Sequence, residues 1–215
     1  MARKMLSGIR PGRGVRRQQF RRGYPMSTTI QIEVFKIDEL SDKAKEIART
    51  WYREANAGDN YFAEPTLEEV KGDIGRFLGF TVQEVYWSGF CIQGDGACIT
   101  GTWRAADVQA AKLREFAPKD KALAKIRKAM RAFARAHRGN TAQIITIDRH
   151  YCHEYSVSIE ADQDTEALKE IARDFMRWIY RQLEDAYNWE NADEQVDENI
   201  RANEYTFTVE GKRFG

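Results

Sequence analysis

The most informative stretch of this chain is YWSGFCIQGDGACITGTW, residues 86–103. Two runs rich in aromatic and β-branched residues flank Gln93-Gly94-Asp95-Gly96, hereafter the Gln93 turn, and this pattern predicts a β-hairpin. Glycine weakens a strand unless a bulge, a tight turn or a close approach requires it. We predict strands over 80–87 and 97–103. Two more glycines, at 89 and 101, interrupt the two runs, so we expect a bulge, a tight turn or a close approach at these positions.

Hydrophobic patterns extend the prediction to the rest of the chain. They indicate, in order, a strand, two helices, the hairpin, two helices, a second hairpin, two helices and a last strand. Outside the first hairpin these elements cover residues 29–35, 41–58, 66–79, 105–117, 119–138, 142–148, 151–160, 164–183, 190–202 and 205–209. Ser41 is the expected N-cap of the first helix, and Thr66 with Glu69 the capping box of the second. Because hairpins imply antiparallel pairing, we expect an α+β fold: a mainly antiparallel sheet of about six strands with helices packed on one face.

Composition narrows the class of protein. A length of 215 residues with 42% hydrophobic residues suits one compact domain. The mean hydropathy of -0.65 and the lack of a long apolar run exclude a transmembrane helix, so no membrane partner is expected. Three cysteines, Cys91, Cys98 and Cys152, are too few for a disulfide framework and indicate reduced thiols in the cytoplasm.

Charge divides the chain into a basic arm and an acidic body. Eight of the 34 basic residues lie in residues 1–25 with no acidic residue, which leaves 26 basic against 33 acidic residues and a net charge of −7 in residues 26–215. The arm is interpreted as a disordered nucleic-acid-binding tail, an organellar presequence or residues translated upstream of the true start. We favour the upstream start at Met26, followed by a single α+β domain over 26–215.

The Gln93 turn is the first candidate site. Its backbone N–H groups and the Asp95 carboxylate suit a phosphate, a metal ion or an arginine of a partner. The competing interpretation is a hairpin turn without further function, because Asp-Gly is a common turn dipeptide. A P-loop is excluded, since no helix follows directly and no Lys-Ser or Lys-Thr pair is present. For a motif this short, the turn alone is the more frequent outcome.

A cluster of potential metal ligands, His150, Cys152, His153 and Glu154, is the second candidate. A structural zinc site needs four ligands, and strand alternation turns His150 and His153 to opposite faces. His153 is better interpreted as a hydrogen-bonded core histidine. The sequence therefore predicts no metal site, no cofactor and no catalytic residue set.

Two charged segments are candidate binding surfaces. The helix over 119–138 carries a cationic face that suits nucleic acid, formed by Lys121, Lys125, Lys128, Arg131 and Arg135. Residues 184–204 combine carboxylates with aromatic residues and suit a basic protein, through Tyr187, Trp189, Asp193, Glu194, Asp197 and Glu198. The competing interpretations are a solvated helix face and mutual attraction of the two segments inside the fold.

Several motifs resemble an uncharacterised protein family encoded by bacteriophages and prophages. They are Ser88-Gly89-Phe90, the Gln93 turn with Ala97, Gly101, Asp38-Glu39-Leu40-Ser41-Asp42-Lys43-Ala44 and His150-Tyr151-Cys152-His153-Glu154-Tyr155. The likeness spans most of residues 26–215 and departs from the family at Cys91-Ile92, where more polar or aromatic residues are usual. Some members carry the label of an antitoxin of a toxin–antitoxin stability system. The resemblance implies a phage or prophage origin in a bacterial host cell and supplies no catalytic residues.

Three functions follow from these observations. The leading hypothesis is a cytoplasmic, non-enzymatic binding protein, antitoxin-like or a host-directed inhibitor, whose acidic surface captures a basic protein. The alternative is a nucleic-acid-binding accessory protein that uses the basic helix 119–138. An enzyme with Asp95 near His150 is the weakest hypothesis, because no nucleophile–base pair or cofactor motif accompanies it. The sequence does not define the oligomeric state.

Overall fold

Four antiparallel strands form the principal sheet, in the order β1-β2-β3-β4. The computed structural model describes residues 31–146 and 152–215, so the basic arm and residues 147–151 lie outside the described residues. The strands are β1 Phe80–Trp87, β2 Ala97–Arg104, β3 Thr141–Thr146 and β4 Val157–Ala161. Two short strands, β5 Thr206–Phe207 and β6 Arg213–Phe214, pair separately. The α+β class and the antiparallel pairing are confirmed, but the strands divide into sheets of four and two.

Helices occupy most of the remaining chain. They are α1 Asp42–Ala55, α2 Glu64–Glu69, α3 Gly75–Phe77, α4 Ala110–Phe116, α5 Lys121–Ala136, α6 Thr165–Glu190 and α7 Asp193–Ala202. Ser41 caps α1 as predicted, since its hydroxyl accepts a hydrogen bond from the Ala44 N–H at 3.4 Å. The predicted capping box of α2 is wrong: the helix begins earlier, with Pro65 in its first turn, so Thr66 lies inside it. No helix in the described part of the chain is both long and apolar enough to cross a membrane.

A bulge between β1 and β2 explains one of the glycines. The pairing register shifts between Val82 and Glu84, and Gly101 lies opposite Val82. Gly101 has a φ of 146°, and a Cβ there would collide with the carbonyl oxygen of Thr81. Only glycine fits this position, as the sequence pattern predicts for a bulge.

The main core lies between the sheet and the long helices α5 and α6. Alternate residues of β3 are buried (Ala142 and Ile144) and exposed (Gln143 and Ile145), so one face of this strand packs inward. Asp120 ties the two helices together: one carboxylate oxygen accepts from the Leu123 N–H at 2.8 Å and caps α5, and the other accepts from the Trp178 indole at 2.7 Å.

A second, smaller core packs α1 against α7 and β5. Its buried members include Ile37, Ala48, Val196, Ile200 and Phe207. Of the predicted strand over 29–35, residues 29 and 30 lie outside the described residues. Phe35 forms a single bridge with Phe207, in which the two residues exchange backbone hydrogen bonds of 2.8 and 2.9 Å. Residues 31–34 form no strand.

Candidate functional site

An open cleft with a volume of about 1540 Å³ lies where three parts of the fold meet. These parts are the loop over 88–96 that joins β1 to β2, the segment over 56–66 that follows α1, and the C-terminal end of α6. Eight aromatic side chains line it: Tyr52, Tyr61, Phe62, Tyr86, Trp87, Phe90, Tyr187 and Trp189. We call it the aromatic cleft. It brings Asp95 of the Gln93 turn together with Tyr187 and Trp189, which the sequence placed in two unrelated candidate surfaces.

Asp95 organises the loop that forms one side of the aromatic cleft. Its Oδ2 atom accepts hydrogen bonds from the N–H groups of Cys91 at 2.8 Å and Ile92 at 2.9 Å. Ser88 closes the base of the loop, because its hydroxyl accepts from the Gly96 N–H at 3.1 Å and its N–H donates to the Gly96 carbonyl. The carboxylate thus has a structural role in this loop, and Gln93 is exposed beside it.

The two glycines of the Gln93 turn meet different requirements. Gly94 has a φ of 103°, a conformation that residues with a Cβ rarely adopt. Gly96 instead allows a close approach, since a Cβ at this position would lie 2.7 Å from Cδ2 of the His153 ring. The hairpin loop therefore packs directly against the segment that precedes β4.

A cluster of aromatic rings attaches the loop to α6. The Phe90 ring lies 6.0 Å from Phe62, 5.5 Å from Tyr180 and 5.0 Å from Tyr187, measured between ring centroids. The Tyr180 hydroxyl also donates to the Gly89 carbonyl oxygen at 3.3 Å. Tyr187 is therefore half-buried inside this cluster and supports the wall of the cleft.

The rim of the aromatic cleft keeps large hydrophobic side chains in contact with solvent. Tyr61 is 73% exposed, Trp189 62% and Ile92 74%. Sequence reasoning identified Trp189 but missed Tyr61 and Phe62. The signal for them was an aromatic pair inside the polar segment between the first two helices, where neither a helical nor a strand pattern needs it.

Carboxylates dominate the charge of the aromatic cleft. Four acidic residues line it, Glu54, Asp59, Asp95 and Glu190, against one basic residue, Arg53. The Arg53 guanidinium is already engaged, because it donates to Asp193 at 2.5 Å. The cleft therefore carries a net negative charge.

Two tyrosine hydroxyls beside these carboxylates remain protonated. Burial, followed by the charge of Glu190, raises the pKa of Tyr52. Burial, followed by the charges of Glu184 and Asp95, raises the pKa of Tyr180. Both phenols are therefore protonated at neutral pH.

Two of the four carboxylates on α7 that we predicted to bind a partner form salt bridges with arginines of the same chain. Asp197 is buried, and its two oxygens accept from Arg49 at 2.8 and 2.7 Å. Asp193 accepts from Arg49 at 2.7 Å as well as from Arg53. Glu194 and Glu198 are exposed and form no salt bridge within the described part of the chain. The sequence contains a signal for this pairing that we missed: the two arginines on α1 are four residues apart, and so are the two aspartates on α7.

The cationic face of α5 is exposed, as a binding surface requires. Lys121, Lys125, Lys128, Arg131 and Arg135 all face solvent. Of these, Lys125 approaches an acidic group, with its Nζ atom 3.7 Å from the Asp174 carboxylate.

The cluster before β4 is an ion-pair network. Glu154 is buried, accepts from Arg177 Nε at 2.8 Å and lies 2.9 Å from His153 Nδ1. The predicted strand over 151–160 begins only at Val157, because the Ser156 N–H bonds the His153 carbonyl in a turn. His153 therefore lies in a turn beside Glu154. The alternation of strand residues between two faces of a sheet does not apply to a residue in a turn.

Within residues 31–146 and 152–215, no three His, Cys, Asp or Glu side chains form a group that could hold a metal ion. His150, and with it the Asp95–His150 hypothesis, lies outside the described residues.

A family model described as a domain of unknown function, DUF8835, matches residues 62–193, which is more than half of the chain. The chain therefore belongs to this family. The match includes the hairpin loop, Phe62, Tyr187 and Trp189 of the aromatic cleft, and the whole of α5. No curated protein and no solved structure gives a significant match.

Proposed function

We propose that this member of the DUF8835 family is a non-enzymatic binding protein whose aromatic cleft captures a basic segment of a partner protein. The observation that carries the proposal is the pairing of exposed rings on the rim with carboxylates that no cation of the cleft compensates. Lysine and arginine side chains bind aromatic faces through cation–π contacts and carboxylates through charge-assisted hydrogen bonds. A basic, extended segment satisfies both kinds of group at once.

We place the proposed binding surface at the aromatic cleft and not at the α7 carboxylates, because two of these carboxylates already have partners. Asp193 and Asp197 already bind arginines of α1, and releasing them for a partner would leave those arginines without their carboxylates. Glu194 and Glu198 keep a long-range role, since exposed carboxylates attract a basic partner and raise its rate of association.

The biological setting is part of the same proposal. A phage or prophage origin, an antitoxin-like or host-directed inhibitory role and a cytoplasmic location in a bacterial host rest on the sequence resemblance and on the cysteine usage. The negative cleft supports the choice of a basic protein as the partner.

Affinity purification from cells of the native host, followed by mass spectrometry, tests the proposal. The cleft variant combines Tyr61→Ala with Trp189→Ala; the control combines Ile145→Ala with Val209→Ala, which removes two exposed hydrophobic side chains that do not line the cleft. We expect a basic protein to be recovered with the wild type and the control and to fall about tenfold with the cleft variant, as for interface hot spots. Equal recovery by all three proteins, at unchanged melting temperatures, would contradict the proposal.

A further inference from the structure

A second groove, of about 850 Å³, lies between α4 and α5 and has the opposite charge to the aromatic cleft. Its basic lining residues are Lys112, Arg114, Arg127, Arg131, Arg135 and Arg138. Among the described residues that line it, Glu115 is the acidic one. We call this surface the basic groove. Two of its arginines belong to the predicted cationic face of α5, and the wall from α4 was not expected from the sequence.

The cations of the basic groove lack the acidic neighbours that other arginines of this protein have. Arg49, Arg173 and Arg177 all form salt bridges of 2.8 Å or less. In the described part of the chain, none of the six basic residues of the groove has a carboxylate within 4.0 Å. The groove therefore has a net positive charge, and none of its cations is paired with a carboxylate among the described residues.

Repulsion between these cations destabilises the fold when no anion is bound. Arg127, Arg131 and Arg135 are spaced four residues apart, so they form one row about 12 Å long on α5, and Arg138 follows in the turn after the helix. Like charges four residues apart on a helix repel each other and destabilise the helix. The α4 wall adds Lys112 and Arg114 to the same repulsion. A bound polyanion removes this repulsion.

We propose that the basic groove binds the sugar–phosphate backbone of double-stranded nucleic acid. Arginine predominates over lysine in the groove, and the guanidinium group matches a phosphate with two parallel hydrogen bonds. The floor is made of small side chains such as Ala110 and Ala134, and none of the lining residues is aromatic. Unpaired bases would have no ring to stack on, so a duplex fits better than a single strand. Binding is then independent of base sequence, because the contacts go to phosphates.

This inference does not depend on the aromatic cleft. The two surfaces share no lining residue and have opposite charge. A variant that neutralises one of them leaves the other intact, so the two proposals can fail separately.

The test measures fluorescence anisotropy of a labelled DNA duplex of about 20 base pairs with the full chain, between about 50 and 200 mM salt. The groove variant is Arg131→Glu with Arg135→Glu. The control is Lys43→Glu with Arg181→Glu, which makes the same change in net charge at two exposed positions outside the groove. Both variants keep residues 1–25, so any binding by the arm is equal in the two proteins.

We expect the groove variant to bind at least about tenfold more weakly than the control, and the slope of log K against log salt to fall by about two, one for each phosphate contact removed. Equal affinity and equal slope for the two variants would overturn the inference, as would the absence of wild-type binding at the lowest salt. Displacement of the duplex by poly-glutamate as efficiently as by unlabelled duplex would also overturn it and would assign the groove to an acidic protein.

Discussion

Replacing Asp197 with alanine should weaken the attachment of α7 to α1. Arg49 holds both carboxylate oxygens of Asp197, and only 12% of the Asp197 side chain is exposed. Removing one partner of a fully buried ion pair costs about 3–5 kcal/mol, because the other charge stays behind without compensation. Arg49 is 18% exposed and retains Asp193, so we expect a smaller loss in the free energy of unfolding, about 2–3 kcal/mol.

The effect has a defined dependence on pH. The hydrogen bonds from Arg49 hold the pKa of Asp197 below its usual range. A carboxyl group whose pKa is lower in the folded state stabilises the fold above its unfolded pKa of about 4, and this stabilisation disappears as the pH falls through the folded value. The difference in stability between the wild type and Asp197→Ala should therefore be largest at neutral pH and shrink below about pH 4.

Urea unfolding followed by circular dichroism measures both effects. Glu198→Ala is the matched control, because it removes an exposed carboxylate from the next position of the same helix and should change stability by less than about 0.5 kcal/mol. Equal stability of Asp197→Ala and Glu198→Ala would show that the Arg49–Asp197 pair does not stabilise the fold. A loss of stability in Asp197→Ala that does not depend on pH would show that the ionised carboxylate is not its cause.

Three further predictions concern the hairpin loop and the arm. Gly96→Ala should destabilise the protein by about 1–3 kcal/mol, since the added Cβ meets the His153 ring, and a melting temperature equal to that of the wild type would argue against this packing. Asp95→Ala should lower the free energy of unfolding by about 2 kcal/mol, and Asp95→Asn should lower it by less, because asparagine keeps an acceptor oxygen. Weaker partner recovery with unchanged stability would instead make Asp95 a recognition residue. Deleting residues 1–25, the predicted basic arm, should leave the melting temperature unchanged, and a fall of several degrees would show that the domain depends on them.

The parts of the fold that depend on local pattern could be predicted from the sequence. β1 has the predicted bounds, and β2 ends one residue beyond them. The helix predicted over 119–138 is α5, Lys121–Ala136, which buries Leu123, Ile126, Met130 and Phe133. These elements are long enough for the periodicity of hydrophobic residues to identify them. The bulge at Gly101 was also foreseeable, because a glycine inside a strand needs a geometric reason.

The parts that depend on contacts distant in the chain could not be predicted. Arg49 and Asp197 are 148 positions apart, so the matched spacing of the arginines on α1 and the aspartates on α7 does not by itself show that these residues pair. β5 lies within the predicted strand over 205–209, but its partner β6 has two residues, too few for a period of two to be recognised. The aromatic cleft likewise exists only because the loop over 88–96 packs Phe90 against Tyr187, which comes from the far end of α6.

Photo-crosslinking from the rim of the aromatic cleft tests the central proposal most directly. A benzophenone amino acid replaces Tyr61, which is 73% exposed at the cleft, and in a second protein Val209, which is 63% exposed and does not line it. Both proteins are irradiated in cells of the native host, and the crosslinked peptides are identified by mass spectrometry. We expect position 61 to crosslink to a segment rich in lysine and arginine. Trp189→Ala should suppress this product, and position 209 should not form it. The same products from both positions, or an acidic segment crosslinked to position 61, would show that the cleft does not capture a basic segment.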